Sequence, residues 1–175
     1  MTIKNPKTEY SKRDKFDKPD ECYTPEIAIK YLIPYLNKKD LIWDCAFGSG
    51  RLAEHFNKNG FNVVGLMDYD FLKEDSDKAF KFDIIITNPP YSLKDKFLKR
   101  CFEIGKPFAL LLPLTTLEGM KRSEMFKNKN IQLIIPNRRI NFEIPSGKKS
   151  AWFATAWFCW KMNLPKQLNF VEIKE

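Results

Sequence analysis

The stretch KFDIIITNPPY, residues 81–91, constrains this chain more than any other. Its β-branched run is apolar on both faces, the pattern of a strand at the centre of a parallel sheet. Two prolines then end it, because neither carries a backbone N–H for a neighbouring strand. A residue that precedes proline is driven out of the helical region, so Asn88 and Pro89 are both held extended. A buried strand therefore runs straight into a stiff, acceptor-rich corner.

Parallel strands need long crossover connections, and the remaining sequence supplies them. TPEIAIKYLIPYL predicts a helix with Thr24 as its N-cap and Pro25 at the first helical position, shortened or kinked at Pro34. LIWDC predicts a strand, RLAEHFNKN a short helix closed by Gly60, and FNVVGLM a second strand. Beyond the proline corner, LKDKFLKRCFEIG predicts a helix ending at Gly105 and KPFALLLP another buried strand. KRSEMFKNK follows as helix and IQLIIP as strand, and AWFATAWFCW forms a long last strand after a turn at Ser146-Gly147. Strands alternating with helices predict an α/β fold, an open, doubly wound and mostly parallel sheet. The 175 residues fit one domain over residues 21–175, preceded by a polar, charged arm at residues 1–20 that is expected to be flexible.

Composition removes several chemistries. The single histidine, His55, lies inside a helical pattern, so a Ser-His-Asp or Cys-His nucleophile has little to rest on. Cys22, Cys45, Cys101 and Cys159 are widely spaced, with no CxxC pair. They read as reduced, buried thiols, and no metal is expected. No apolar run is long enough to span a bilayer, and the first residues lack a signal-peptide core, so a cytoplasmic protein without membrane contact is expected. A net charge of +8 favours a polyanionic partner.

Two segments at strand carboxyl ends carry chemistry, and in open α/β sheets ligands bind in the crevice there. The first is DCAFGSG: Asp44, Cys45, Ala46, Phe47, Gly48, Ser49 and Gly50. Its glycines permit a tight turn and close backbone approach. The carboxylate of Asp44 suits a cationic or hydroxyl-rich ligand. The spacing matches neither the phosphate loop nor G-x-G-x-x-G. About twenty positions on, the next strand ends in MDYDF, where Asp68 or Asp70 is placed to hydrogen-bond a ribose.

The second segment is Asn88-Pro89-Pro90-Tyr91 itself. The Asn88 side-chain oxygen and the Pro89 carbonyl can converge on one NH2 group, while Tyr91 offers a face on which a planar ring stacks. An aryl amine is a poor nucleophile because its lone pair is delocalised. Two acceptors gripping its hydrogens favour a pyramidal nitrogen and in-line attack on a sulfonium methyl. Neither a metal nor a strong base is required.

On these residues the chain resembles the amino-methyltransferases, Rossmann-like enzymes that use S-adenosylmethionine and carry NPPY as their catalytic motif. The Asn form is similar to N6-adenine enzymes, and the likeness runs over about residues 21–160, towards small bacterial and phage-type members. The resemblance implies that Tyr23, Thr24 and Pro25 pack near the methionine moiety of the cofactor, and that Asp44 to Gly50 forms its loop. It implies that Asp68 takes the ribose position, and that Asp70-Phe71-Leu72 corresponds to a D-F-L motif bracketing the cofactor adenine. Two departures stand out. Asp68 and Asp70 lie so close that the usual helix and strand between the two motifs have almost no room, leaving open which carboxylate holds the ribose. No stretch is free to build a separate target-recognition domain.

Basic residues follow the corner: Lys94, Lys96, Lys99 and Arg100, then Lys121 and Arg122, Arg138-Arg139 and Lys148-Lys149. Together they suggest a phosphate track for a nucleic acid, expected to be DNA. Phe142 is a candidate to line the base pocket, in competition with a core role. RNA adenine N6, guanine N2 and a protein glutamine amide also present a planar NH2. A non-catalytic cofactor-binding protein would have no need of Asn88 or Tyr91. A nicotinamide dehydrogenase is disfavoured by the glycine pattern and the missing proton donor.

Overall fold

A computed structural model describes residues 23–143, the backbone of 149–150, and 153–173. The expected arm, Cys22, the Ser146-Gly147 turn and the Lys148-Lys149 side chains lie outside the described residues.

One sheet organises the chain. Its strands are β1 (Leu41–Trp43), β2 (Asn62–Val64), β3 (Ile84–Thr87), β4 (Phe108–Pro113), β5 (Gln132–Pro136), β8 (Thr155–Trp160) and β9 (Leu168–Val171). They lie in the order β2-β1-β3-β4-β8-β5-β9. All described pairings are parallel except those of β8, which runs antiparallel between β4 and β5. Two further short strands, β6 (Phe142–Glu143) and β7 (Lys149–Ser150), form a separate hairpin.

The IIIT run is β3, and all four of its residues are buried. Alternation divides them: Ile84 and Ile86 enter one core cluster, Ile85 the other. The first cluster sits under α1 (Glu26–Lys30) and α2 (Arg51–Lys58), through Ala28, Ile29, Leu52 and Phe56. The second sits under α3 (Lys94–Ile104), through Phe97, Leu98 and Cys101. Helices on both faces make the sheet doubly wound, as its apolar strands require.

Several boundaries depart from expectation. The first helix stops at Lys30, and Ile33–Tyr35 is a separate 3-10 turn with Pro34 inside it. Pro25, not Thr24, is the N-cap, and no side chain caps this helix. The last cysteine-containing strand begins at Thr155 and is not the final one. It is followed by β9, whose alternating, half-exposed LNFV gives no apolar run to recognise. A fourth helix, α4 (Met120–Phe126), falls where KRSEMFKNK predicts one.

Candidate active site

From β1 the chain crosses to β2 on one side, whereas β3 lies on the other. The order therefore reverses between β1 and β3, the switch point at which open α/β sheets hold ligands. The residues that follow these two strands are Asp44 and Asn88.

A buried hydroxyl joins them. Thr87, the last residue of β3, donates its O–H to Asp44 Oδ1 at 2.6 Å and accepts the Ala46 N–H at 3.2 Å. The glycine loop is thereby fastened to the strand that ends in the proline corner. Asp44 is 2% exposed, and its other oxygen, Oδ2, has no hydrogen-bond partner among the described residues. Burial, partly opposed by the Thr87 and Ala46 hydrogen bonds, pushes its carboxyl up to about 6. Thr87 was not among the residues singled out from sequence. The signal was present, a lone hydroxyl closing an all-isoleucine run.

The loop after Asp44 is shaped by glycines. Gly48 and Gly50 have φ of 50° and 78°, in the left-handed region, and the Gly50 N–H closes a turn onto the Phe47 carbonyl at 2.8 Å. A Cβ on Gly65 would lie 2.7 Å from the Asp44 carbonyl oxygen and 2.3 Å from the Phe47 ring, so this position too is closed to a side chain. Cys45 turns its thiol into the core, where burial raises its pKa well above the ordinary value. Asp70 Oδ1 accepts the Leu72 N–H at 3.1 Å, forming a local turn. Asp68 is exposed, with φ 58°.

At the second corner, Asn88 Nδ2 donates to Thr24 Oγ1 at 3.0 Å, a bond between residues 64 positions apart. Asn88 Oδ1 is shielded from solvent and has no partner among the described residues. An unpaired buried acceptor costs about 1–3 kcal/mol, which a ligand's donor recovers on binding. Tyr91 opens a 3-10 turn leading into α3, and its carbonyl accepts from Lys94 Nζ at 3.2 Å. Phe153 stands edge-on to its ring, with centroids 6.2 Å apart.

Tyr23, Thr24 and Pro25 also line a cavity of about 450 Å3 together with Arg51, Arg138 and Arg139. The sequence alone places Arg51 in a helix and gives it no part in a site. Its guanidinium lies 4.2 Å from the Tyr23 ring centroid and 3.1 Å from Glu143 Oε2.

Other expected site residues are packed into the core or engaged by neighbours. Phe71 is 1% exposed, its ring stacked on Phe97 at 5.0 Å and edge-on to Trp43 at 5.3 Å, so the faces that would bracket an adenine are occupied. Phe142, 6% exposed, packs into the α1–α2 core cluster instead of lining a base pocket. Arg100, its side chain 12% exposed, is paired with Asp77 and the Glu74 carbonyl, and Arg122 with Asp95. Both guanidinium groups are engaged by carboxylates of this chain. No group of residues able to hold a metal ion occurs among the described residues, and Cys45, Cys101 and Cys159 are free and buried. No described helix is long and apolar enough to cross a membrane.

No protein-family model matches the chain, and a search of curated proteins gives no match either. Solved structures do resemble it. The M protein of the type I restriction enzyme EcoKI aligns with a TM-score of 0.53 at 15% identity, over 89% of this chain and 49% of that one. A modification subunit of a putative type I restriction enzyme from Vibrio vulnificus gives 0.51 at 15%, over 93% and 49%. A putative RNA methyltransferase from Pyrococcus horikoshii gives 0.51 at 13%, over 77% and 80%. The chain thus spans about half the length of the two restriction-enzyme subunits it matches. At such identities the likeness is one of fold, and the fold is the Rossmann-like α/β sheet it shares with them.

Proposed function

We propose that this chain is a methyltransferase that uses S-adenosylmethionine to methylate the exocyclic N6 amine of adenine in DNA. One observation carries the reading: Asn88, whose buried Oδ1 has no partner among the described residues, directly follows the threonine that hydrogen-bonds Asp44, which also keeps an unpartnered oxygen. The two are fastened together through Thr87.

The residues present fit such a cofactor. Asp44 Oδ2 is an unpartnered acceptor for a cationic group, and the left-handed Gly48 and Gly50 hold the tight turn that follows it. Asp68, exposed and without a side-chain partner among the described residues, is better placed for ribose hydroxyls than Asp70, which is engaged by Leu72. When bound, S-adenosylmethionine supplies an electrophilic sulfonium methyl.

The chain's own residues prepare the nucleophile. Asn88 Oδ1 and the Pro89 carbonyl accept the two amine hydrogens and direct the nitrogen lone pair towards the loop. Tyr91 supports the ring by stacking, and extruding a base costs a few kcal/mol, least from single strands. Holding the reacting atoms about 3–3.5 Å apart contributes the orientation. Arg138 and Arg139, which line the cavity beside Tyr23 to Pro25, together with the exposed Lys96 and Lys121, are the cations assigned to the phosphates. The restriction-enzyme M protein among the structural neighbours carries the class EC 2.1.1.72, which agrees with this choice of reaction.

The test is transfer of tritium-labelled methyl to single-stranded DNA, duplex DNA and RNA, followed by nucleoside digestion. Label in N6-methyldeoxyadenosine is the expected result. Label confined to RNA or to protein rejects the DNA assignment, and no transfer to any of them rejects the reaction.

A further inference from the structure

We infer that Thr24 is a positioning residue for Asn88, fixing the plane of the amide whose oxygen meets the incoming amine. This rests on the methyl-transfer reading above. It gives Thr24 a task separate from contact with the cofactor.

The geometry consists of two proline-preceded residues locked to each other. Thr24 precedes Pro25 and Asn88 precedes Pro89, so both backbones are confined to extended conformations. Thr24 is further pinned by its neighbours. The Tyr23 N–H donates to the Glu143 carbonyl at 2.7 Å, and the Pro25 carbonyl accepts the Ala28 N–H at 2.9 Å. The Thr24 side chain is β-branched, which stiffens χ1, and it is 5% exposed. Its hydroxyl is thus a fixed point, reached by Asn88 Nδ2 at 3.0 Å.

An amide presents an acceptor at one end and two donors at the other. With Nδ2 held by Thr24, the remaining end is Oδ1, the acceptor that an amine requires. Turned by half a rotation, the same amide would aim N–H groups at an amine and repel it. A hydroxyl can serve either orientation, so Thr24 fixes the plane of the amide and the amine's own hydrogens select the oxygen. Without the hydroxyl, the half-buried Nδ2 loses its partner, and the amide turns or withdraws to satisfy it.

The experiment uses the full chain with single-turnover methyl transfer to an adenine-containing DNA oligonucleotide. Cofactor affinity is measured by calorimetry with S-adenosylmethionine. Thr24→Val, nearly isosteric, lowers the single-turnover rate roughly 10- to 100-fold, the rate equivalent of one buried hydrogen bond. Cofactor affinity stays within about twofold, and Thr24→Ser, which restores the oxygen, returns the rate to within a few-fold of the parent. Combined with Asn88→Ala, Thr24→Val adds nothing further, because it acts only through that side chain. An unchanged Thr24→Val rate overturns the inference. So does a loss confined to cofactor affinity, or one that adds fully to Asn88→Ala. Should Thr24→Val fail to fold, Thr24→Ala is judged by the same outcomes. A parent chain that transfers no methyl removes the methyl-transfer reading and this role with it, whereas an active parent with an indifferent Thr24 removes only the role.

Discussion

Two of the places where the described residues bury polar side chains treat them in opposite ways. Where β5 meets β9, Gln132 donates to the Leu164 and Lys166 carbonyls and accepts the Leu164 N–H. Asn169 donates to the Leu133 and Lys166 carbonyls and accepts the Lys166 N–H. Both ends of both amides are satisfied. At the β1–β3 switch point, Asp44 and Asn88 each have one end tied down and one oxygen with no partner among the described residues. Native interiors rarely leave such groups unpaired. The first region uses its amides to hold an edge strand, and the second holds acceptors in reserve at the cost of stability.

Removing an amide from each region should therefore have opposite consequences. Asn88→Ala is expected to lower methyl transfer about 100- to 1,000-fold, equivalent to roughly 3–4 kcal/mol of barrier. Its melting midpoint should stay within about 3 °C of the parent, because the lost Thr24 bond is offset by relief of a stranded acceptor. Asn169→Ala removes the side-chain donor to the Leu133 carbonyl and the acceptor for the Lys166 N–H, while Gln132 still holds the Lys166 carbonyl. The expected stability loss is about 2 kcal/mol, with turnover per folded molecule unchanged. Denaturant titration and single-turnover rates on both variants decide the matter. If Asn88→Ala proved the more destabilising, the contrast between the regions would be wrong.

The switch point lacks partners without being loosely packed, and Gly65 shows this. A methyl group there meets the Asp44 carbonyl at 2.7 Å, and backbone cannot swing aside as a side-chain tip can. Gly65→Ala should cost about 2 kcal/mol in denaturant titration. It should also weaken cofactor binding in calorimetry. A variant as stable as the parent would mean that the frame around Asp44 yields.

The sequence made one region far easier to read than the other. The β3 run and its proline corner are fixed by local restrictions, β-branching and the φ of proline, which need no knowledge of neighbours. The left-handed glycines of the loop are local in the same sense. Thr87 was missed because a strand-end hydroxyl gains meaning only when the β1–β3 register sets it beside Asp44. The strand β9 was missed because its hold on β5 is made by Gln132 and Asn169, amides that look like loop residues until the chain returns. Phe71 went the other way. Its place in a D-F-L motif suggested a cofactor contact, but its direction is set by Phe97 and Trp43, which are distant in sequence.

The smallest effect tests the cost of holding Asp44 in reserve. Its carboxyl is raised to about 6 by burial, above the ordinary value near 3.8, so the folded chain binds this proton more tightly than the unfolded one. Its contribution is most favourable at low pH, declines as pH rises past the unfolded value, and is fully lost once pH exceeds the folded one. Between about pH 4.5 and about pH 8 the loss from this group is on the order of 2 kcal/mol. Other carboxylates titrate in the same window, so the informative quantity is the stability difference between Asp44→Asn and the parent. That difference should shift in favour of the variant as pH rises, while the variant loses cofactor binding. The buried amide NH2 of the new asparagine offsets part of the gain at every pH, leaving the slope as the measurable signature. A difference that does not change with pH would show that Asp44 stays ionised in the fold. The unpartnered oxygen would then already be compensated, and the reserve attributed to it would not exist.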